Sequence, residues 1–138
     1  MIVLDTHAWI WLLEGDRRMN KKTILNRLEK NIPERTIFVS EISGWEVGML
    51  VSKKRLIISG TLIDWLRDAY RAPGIHPLGL TPEIVAESVH LPGDFHGDPA
   101  DRIIVAAARV YNAELITMDR AIIGYGKKGN VKVIPLQG

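Results

Sequence analysis

Two short runs in this chain each stop at an aspartate: MIVLD at 1–5 and ELITMD at 114–119. Both are largely apolar and neither shows the strict alternation of a strand with one wet face. Each therefore fits a strand covered on both sides, which is the setting of a parallel sheet between helices. TIFVS at 36–40, β-branched and aromatic, is another strand. IHPLGL at 75–80 is a weak one, because Pro77 confines it to an edge or an irregular segment. VKVIPL at 131–136 is the last.

The stretches between them read as helices. Residues 6–14 form one, and 20–30 a second, amphipathic one with apolar Ile24, Leu25 and Leu28. Ser40 caps a helix running to about Val51. Thr61 followed by Asp64 is a capping-box-like start for a helix carrying Leu62, Trp65, Leu66 and Ala69. Thr81–Pro82 and Asp98–Pro99 each join a cap to a proline at the first helical position, the second opening a helix to about Asn112. Strands alternating with helices, without internal repeat or linker, predict a single α/β domain over 1–138, a three-layer α/β/α fold with a mainly parallel central sheet. In such sheets the ligand site lies beyond the carboxyl ends of the strands. Asp5 and Asp119 sit at two such ends.

Composition narrows the chemistry. There is no cysteine among the 138 residues, which removes disulfides, thiolate catalysis and zinc–cysteine sites and suits a reducing cytoplasm. The apolar runs are too short for a membrane span and the amino terminus lacks a basic leader. A net charge of +2 is weak support for a nucleic-acid partner. Basic residues cluster at Arg17–Lys22, Lys53–Arg55 and Lys127–Lys132, a pattern that solvated surface also explains.

The carboxylates carry the functional argument. Glu46 interrupts the otherwise apolar stretch 42–51, with Ser43 one turn earlier on the same face. It faces either solvent or a cleft, since burial without compensation would cost roughly several kcal/mol. With Asp98 as cap and Pro99 first in the helix, Asp101 falls one turn inside, leading into IIVAAA. Capping accounts well for Asp98 and less well for Asp101. Asp5, Glu46, Asp101 and Asp119 can thus converge at one sheet edge, where they repel one another unless a cation is present. Oxygen ligands alone select a hard cation, Mg²⁺ or Mn²⁺, of the kind that cleaves phosphodiesters. Asp5 and Asp101 are expected to be the main ligands, with Glu46 and Asp119 completing the site directly or through water. Asp98 is read first as a cap and second as a contact to a metal-bound water.

Other features weigh less. Thr6 and Thr117 can orient the neighbouring carboxylates, or serve β propensity and capping. Arg102 can meet a site carboxylate or a phosphate, or form a structural salt bridge. GYGKKG at 124–129 matches a dinucleotide-binding pattern but lacks the strand before it and the helix after it, and reads as a loop. His7 reads as a packing residue, and His76, His90 and His96 lack ligand spacing. A phosphate-transferring aspartate enzyme is disfavoured because no aspartate stands two residues after Asp5. AWIWLL at 8–13 is apolar all round, which suits burial by a neighbouring helix or a surface for a second protomer or another protein.

DTH at 5–7, SxxE at 43–46, DPADRIIVAAA at 98–108 and TMD at 117–119, in that order along the whole chain, resemble the PIN domain and, more narrowly, the VapC-type toxins of prokaryotic toxin–antitoxin pairs. The resemblance implies a metal-dependent endoribonuclease with RNA as substrate, a cognate antitoxin as partner, frequent homodimerisation and a cytoplasmic location. By position, Asp5, Glu46, Asp101 and Asp119 match the family's acidic set, and Asp98 an additional acid of one subgroup. Ala100 stands where that subgroup often has an aromatic. The alternatives are a PIN-like module that binds antitoxin or nucleic acid without cutting, and a nuclease directed at DNA.

Overall fold

The computed structural model describes residues 1–33 and 36–136. Strands β1 (Ile2–Leu4), β2 (Ile37–Ser40), β3 (Ile75–Leu78), β4 (Glu114–Thr117) and β5 (Lys132–Pro135) form one five-stranded sheet in the order β3-β2-β1-β4-β5. Every neighbouring pair is parallel. The helices are α1 (Thr6–Glu14), α2 (Lys22–Asn31), α3 (Glu41–Ser52), α4 (Leu62–Tyr70), α5 (Pro82–Val89), α6 (Pro99–Val110) and α7 (Arg120–Lys127). A 3-10 turn at Arg17–Met19, which the sequence did not signal, separates α1 from α2.

The alternation within β1 assigns one core to each face. Ile2 and Leu4 join Trp9, Ile24, Leu28, Val47 and Ala69 in the core beneath α1 to α4. Val3 points the other way, to Ile84, Ile104, Val105, Leu115 and Ile122 beneath α5 to α7. Ala106, Ala107 and Ala108 are fully buried, so α6 can pack closely through side chains no larger than a methyl group. The expected three layers and parallel sheet are present. The weak strand at 75–78 is indeed an edge, with Pro77 inside it, and the opposite edge β5 ends on Pro135.

Helix ends follow the chemistry of their caps. Side chains of Asp5, Ser40, Thr61, Thr81, Asp98 and Asp119 each accept a backbone N–H from the first turn of the helix that follows. Gly15 ends α1 in the left-handed region at φ 68°, returning its N–H to Leu12. The stretch GYGKKG departs from its expected loop. Gly124 to Lys127 form the last turn of α7, and a Cβ on Gly126 would stand 2.6 Å from Val133 Cγ2. The glycine there serves close approach of α7 to β5, a need that a nucleotide-loop pattern does not distinguish.

One polar contact joins the layer of α3 and α4 to the sheet. The Tyr70 hydroxyl accepts the Gly44 N–H at 3.0 Å and donates to the Ser40 carbonyl at 2.8 Å. Tyr70→Phe leaves both backbone groups without that partner and is expected to cost about 1–3 kcal/mol, read from denaturant unfolding. A loss well below that range would mean that water takes over both bonds.

Candidate active site

The chain builds β1, β2 and β3 outward in one direction and then returns to lay β4 on the other side of β1. The carboxyl ends of β1 and β4 therefore flank the point where strand order reverses, the usual ligand crevice of an open parallel sheet. Asp5 follows β1, and its Oδ1 accepts the Ala8 N–H at 2.9 Å. Its Oδ2 accepts the hydroxyl of Thr117, the last residue of β4. Thr117 Oγ1 in turn accepts the Asp119 N–H at 2.9 Å. Asp119 uses Oδ1 to cap α7 through the Ile122 N–H, also at 2.9 Å. Thr117 is thus a strut between two acids.

Glu46 arrives from the middle of α3, where it is half-buried. The Thr6 hydroxyl donates to its Oε1, and the Thr6 and Ser43 hydroxyls share a hydrogen bond of 2.9 Å. Asp98 Oδ1 accepts the Asp101 N–H at 2.9 Å, fixing the first turn of α6. Asp5, Glu46, Asp98, Asp101 and Asp119 all line one open cleft of about 410 Å³, together with Thr6, His7, Trp11, Ile104 and Met118. Ser43 and Thr117 are fully buried and act from beneath.

Charge is crowded in this cleft. Burial, followed by the negative charges of Asp98, Asp119, Glu46 and Asp5, pushes the Asp101 carboxyl up to about 7. Burial also raises Asp5, against the hydrogen bonds from Thr117 and the Ala8 N–H. Glu46 is raised by burial as well, with Thr6 opposing and Asp98 and Asp5 reinforcing. Acids that resist ionisation through mutual repulsion and burial fit a divalent cation, and a donor set dominated by carboxylate oxygen fits a hard one.

Two side chains depart from the sequence reading. Among the described residues, Arg102 pairs with carbonyls and with no carboxylate. Its Nε donates to Ser88 O at 2.8 Å, Nη1 to Phe95 O at 3.0 Å and His96 O at 3.2 Å, and Nη2 to Val89 O at 3.4 Å. The guanidinium fork satisfies carbonyls at the end of α5 and in the segment before α6, where helix geometry leaves them without partners. His96, set aside for want of ligand spacing, has Nε2 at 3.3 Å from Asp101 Oδ2. Ligand-type atoms of His96, Asp101 and Asp119 lie within 4.8 Å of one another. The one usable signal was a histidine two residues before a helix cap.

The apolar helix divides between its two readings. Trp9 is covered by Trp65 and Tyr70, with ring centroids 5.5 and 4.6 Å away. Trp11 instead forms a wall of the cleft, beside His7 at 5.6 Å and under the Arg18 guanidinium at 4.0 Å. Leu12 and Leu13 stay half-buried.

A family model described as the PIN domain matches residues 2–128. Ribonuclease VapC22 of Mycobacterium tuberculosis is 30% identical over 121 residues, 88% of each chain. Among solved structures, VapBC2 from Rickettsia felis bound to a DNA fragment from their promoter aligns with TM-score 0.68 at 19% identity, covering 99% of this chain and 100% of that one. A toxin–antitoxin complex from Klebsiella pneumoniae aligns with TM-score 0.62 at 22% identity, covering 97% and 96%. The structural likenesses establish a shared fold.

The raised Asp101 carboxyl has a consequence for stability. Its ordinary value is 3.8 and its folded value about 7. Folding therefore favours the protonated form, so this contribution is full below about pH 4 and is lost as pH rises through 7. With a chelator present, the protein should be less stable at pH 8 than at pH 5.5. Asp101→Asn should flatten that slope and gain about 1–3 kcal/mol over the parent at pH 8, allowing for solvent screening. Denaturant unfolding at the two pH values checks this, and a parent equally stable at both contradicts it.

Proposed function

The chain belongs to the PIN-domain family, and on that premise we propose that it is a divalent-metal-dependent endoribonuclease acting as the toxin of a toxin–antitoxin pair. The observation that carries this reading is the convergence of Asp5, Glu46, Asp98, Asp101 and Asp119 in one cleft at the strand-order reversal. Asp5, Asp101 and Asp119 are the residues to hold Mg²⁺ or Mn²⁺, with Glu46 and Asp98 completing the set directly or through water. Such a cation supplies Lewis-acid stabilisation of a phosphodiester's developing charge and a water acidic enough to attack it.

The chain's own residues supply the positioning. Thr117 and the Ala8 N–H fix both oxygens of Asp5, and Thr6 fixes Glu46, so these carboxylates are oriented before substrate arrives. His7 and Trp11 wall the cleft where nucleotides flanking the scissile phosphate would pass. The relative named a ribonuclease favours RNA over DNA as substrate. Similar chains in a toxin–antitoxin complex favour an antitoxin partner. Half-buried Leu12 and Leu13 on α1, with exposed Trp45 on α3 and Ile63 on α4, offer apolar surface to an antitoxin or to a second protomer of a homodimer. No described helix is long and apolar enough to cross a membrane, and the reading places the protein in the cytoplasm with its RNA.

Metal-supplemented cleavage of RNA and of matched DNA by purified protein tests the assignment. Asp5→Asn and Asp101→Asn should each lower RNA cleavage by about 100-fold or more. Undiminished activity in Asp5→Asn would sink the reading, cutting of DNA alone would redirect it, and no cutting despite antitoxin binding would leave a binding module. Asp98→Ala should instead lose mainly stability, about 1 kcal/mol, through its helix cap.

A further inference from the structure

His96 contributes to none of the steps above, yet its environment fixes how it faces the acids. Nδ1 accepts the Asp98 N–H at 3.2 Å. The ring stacks on Phe95 with centroids 4.3 Å apart and planes at 30°. The carbonyls of Phe95 and His96 itself are both held by Arg102 Nη1. Held this way, Nε2 stands 3.3 Å from Asp101 Oδ2.

A ring nitrogen that accepts a backbone N–H carries no proton, so a neutral His96 carries its proton on Nε2. The nitrogen nearest the acids is then a donor and has no free lone pair for a cation, although it falls among the atoms of Asp101 and Asp119 close enough to share one. To bind a metal through Nε2 the ring would have to move its proton to Nδ1 and set it against the Asp98 N–H. Nε2 and Oδ2 stand at a charge-pair distance without a formed hydrogen bond, and a small turn of either side chain closes one, the more so when the carboxylate is ionised.

We propose that His96 is a positioning residue for the metal site: its Nε2–H, facing Oδ2 of Asp101, would orient that carboxylate for a cation, while Arg102 fixes the segment that carries it. This rests on the metal-nuclease reading and adds an outer support to one of its ligands. Partners that orient ligating groups in this way are worth about 10–100-fold in metal affinity. The role also gives Arg102 a link to the site that needs no contact with substrate.

The test is Mn²⁺ affinity by calorimetry on the full chain, together with nitrogen NMR of the His96 ring with and without Mg²⁺. His96→Ala should weaken Mn²⁺ binding by about 10–100-fold with unchanged circular dichroism. His96→Gln, whose amide nitrogen keeps a donor near the same place, should recover to within a few-fold of the parent. The ring of the parent should keep its proton on Nε2 when Mg²⁺ is added. Unchanged affinity in His96→Ala overturns the proposal. So does loss of the Nε2 proton on Mg²⁺ addition with His96→Gln as weak as His96→Ala, which would make His96 a direct ligand. A parent chain that binds no Mn²⁺ overturns the metal-nuclease reading and this proposal together, so the two failures are distinguishable.

Discussion

Like charges brought into one half-buried cleft repel, and the surroundings of this cleft are arranged against that repulsion. Asp5, Asp98 and Asp119 are the caps of α1, α6 and α7, and Asp101 lies in the first turn of α6. Three helix amino termini, with their unpaired N–H groups and positive dipole ends, therefore open on the same space. Glu46 lacks this support, coming from the middle of α3, and has the Thr6 hydroxyl instead. The parallel sheet makes the convergence possible, because β1, β2 and β4 each deliver the following helix to one edge, and α6 starts at that edge before the chain enters β4. What the dipoles do not offset remains as the raised acids, above all Asp101.

Capping and metal binding looked like rival explanations of the same aspartates, but a capping carboxylate still has an oxygen to offer. A carboxylate has two oxygens and about four acceptor directions. Asp98 and Asp119 each use Oδ1 for a first-turn N–H. A cap of this kind also aims the remaining oxygen, since the backbone bond limits rotation about χ1 and χ2. Helix initiation and site geometry are then one constraint on sequence, which is why the same short motifs signal both.

That coupling explains what could be read in advance. The strand ends marked Asp5 and Asp119, the cap followed by proline marked Asp98 and Asp101, and one polar residue in an apolar helix marked Glu46. Each signal is local, and each sits where the fold turns locality into proximity. His96 was set aside, and Arg102 was expected to meet a carboxylate or a phosphate, because their actual partners are carbonyls and a backbone N–H exposed only once the segment between α5 and α6 has folded. Trp11 was legible as apolar and illegible as a cleft wall, because the covering Arg18 lies past the end of its helix. The last turn of α7 was hidden by a glycine-rich run in which Gly126 serves close packing on β5.

The borders of the sheet bear on how any partner can attach. β3 and β5 are each four residues long and each contains a proline, Pro77 and Pro135. A short strand with a missing donor gives an incoming strand little to pair with, which guards against chains joining edge to edge. Recognition by strand addition is thus disfavoured at both borders. A protein partner would therefore do better to grip side chains on the helices, with its specificity written in the shape of apolar surfaces and not in backbone hydrogen bonds.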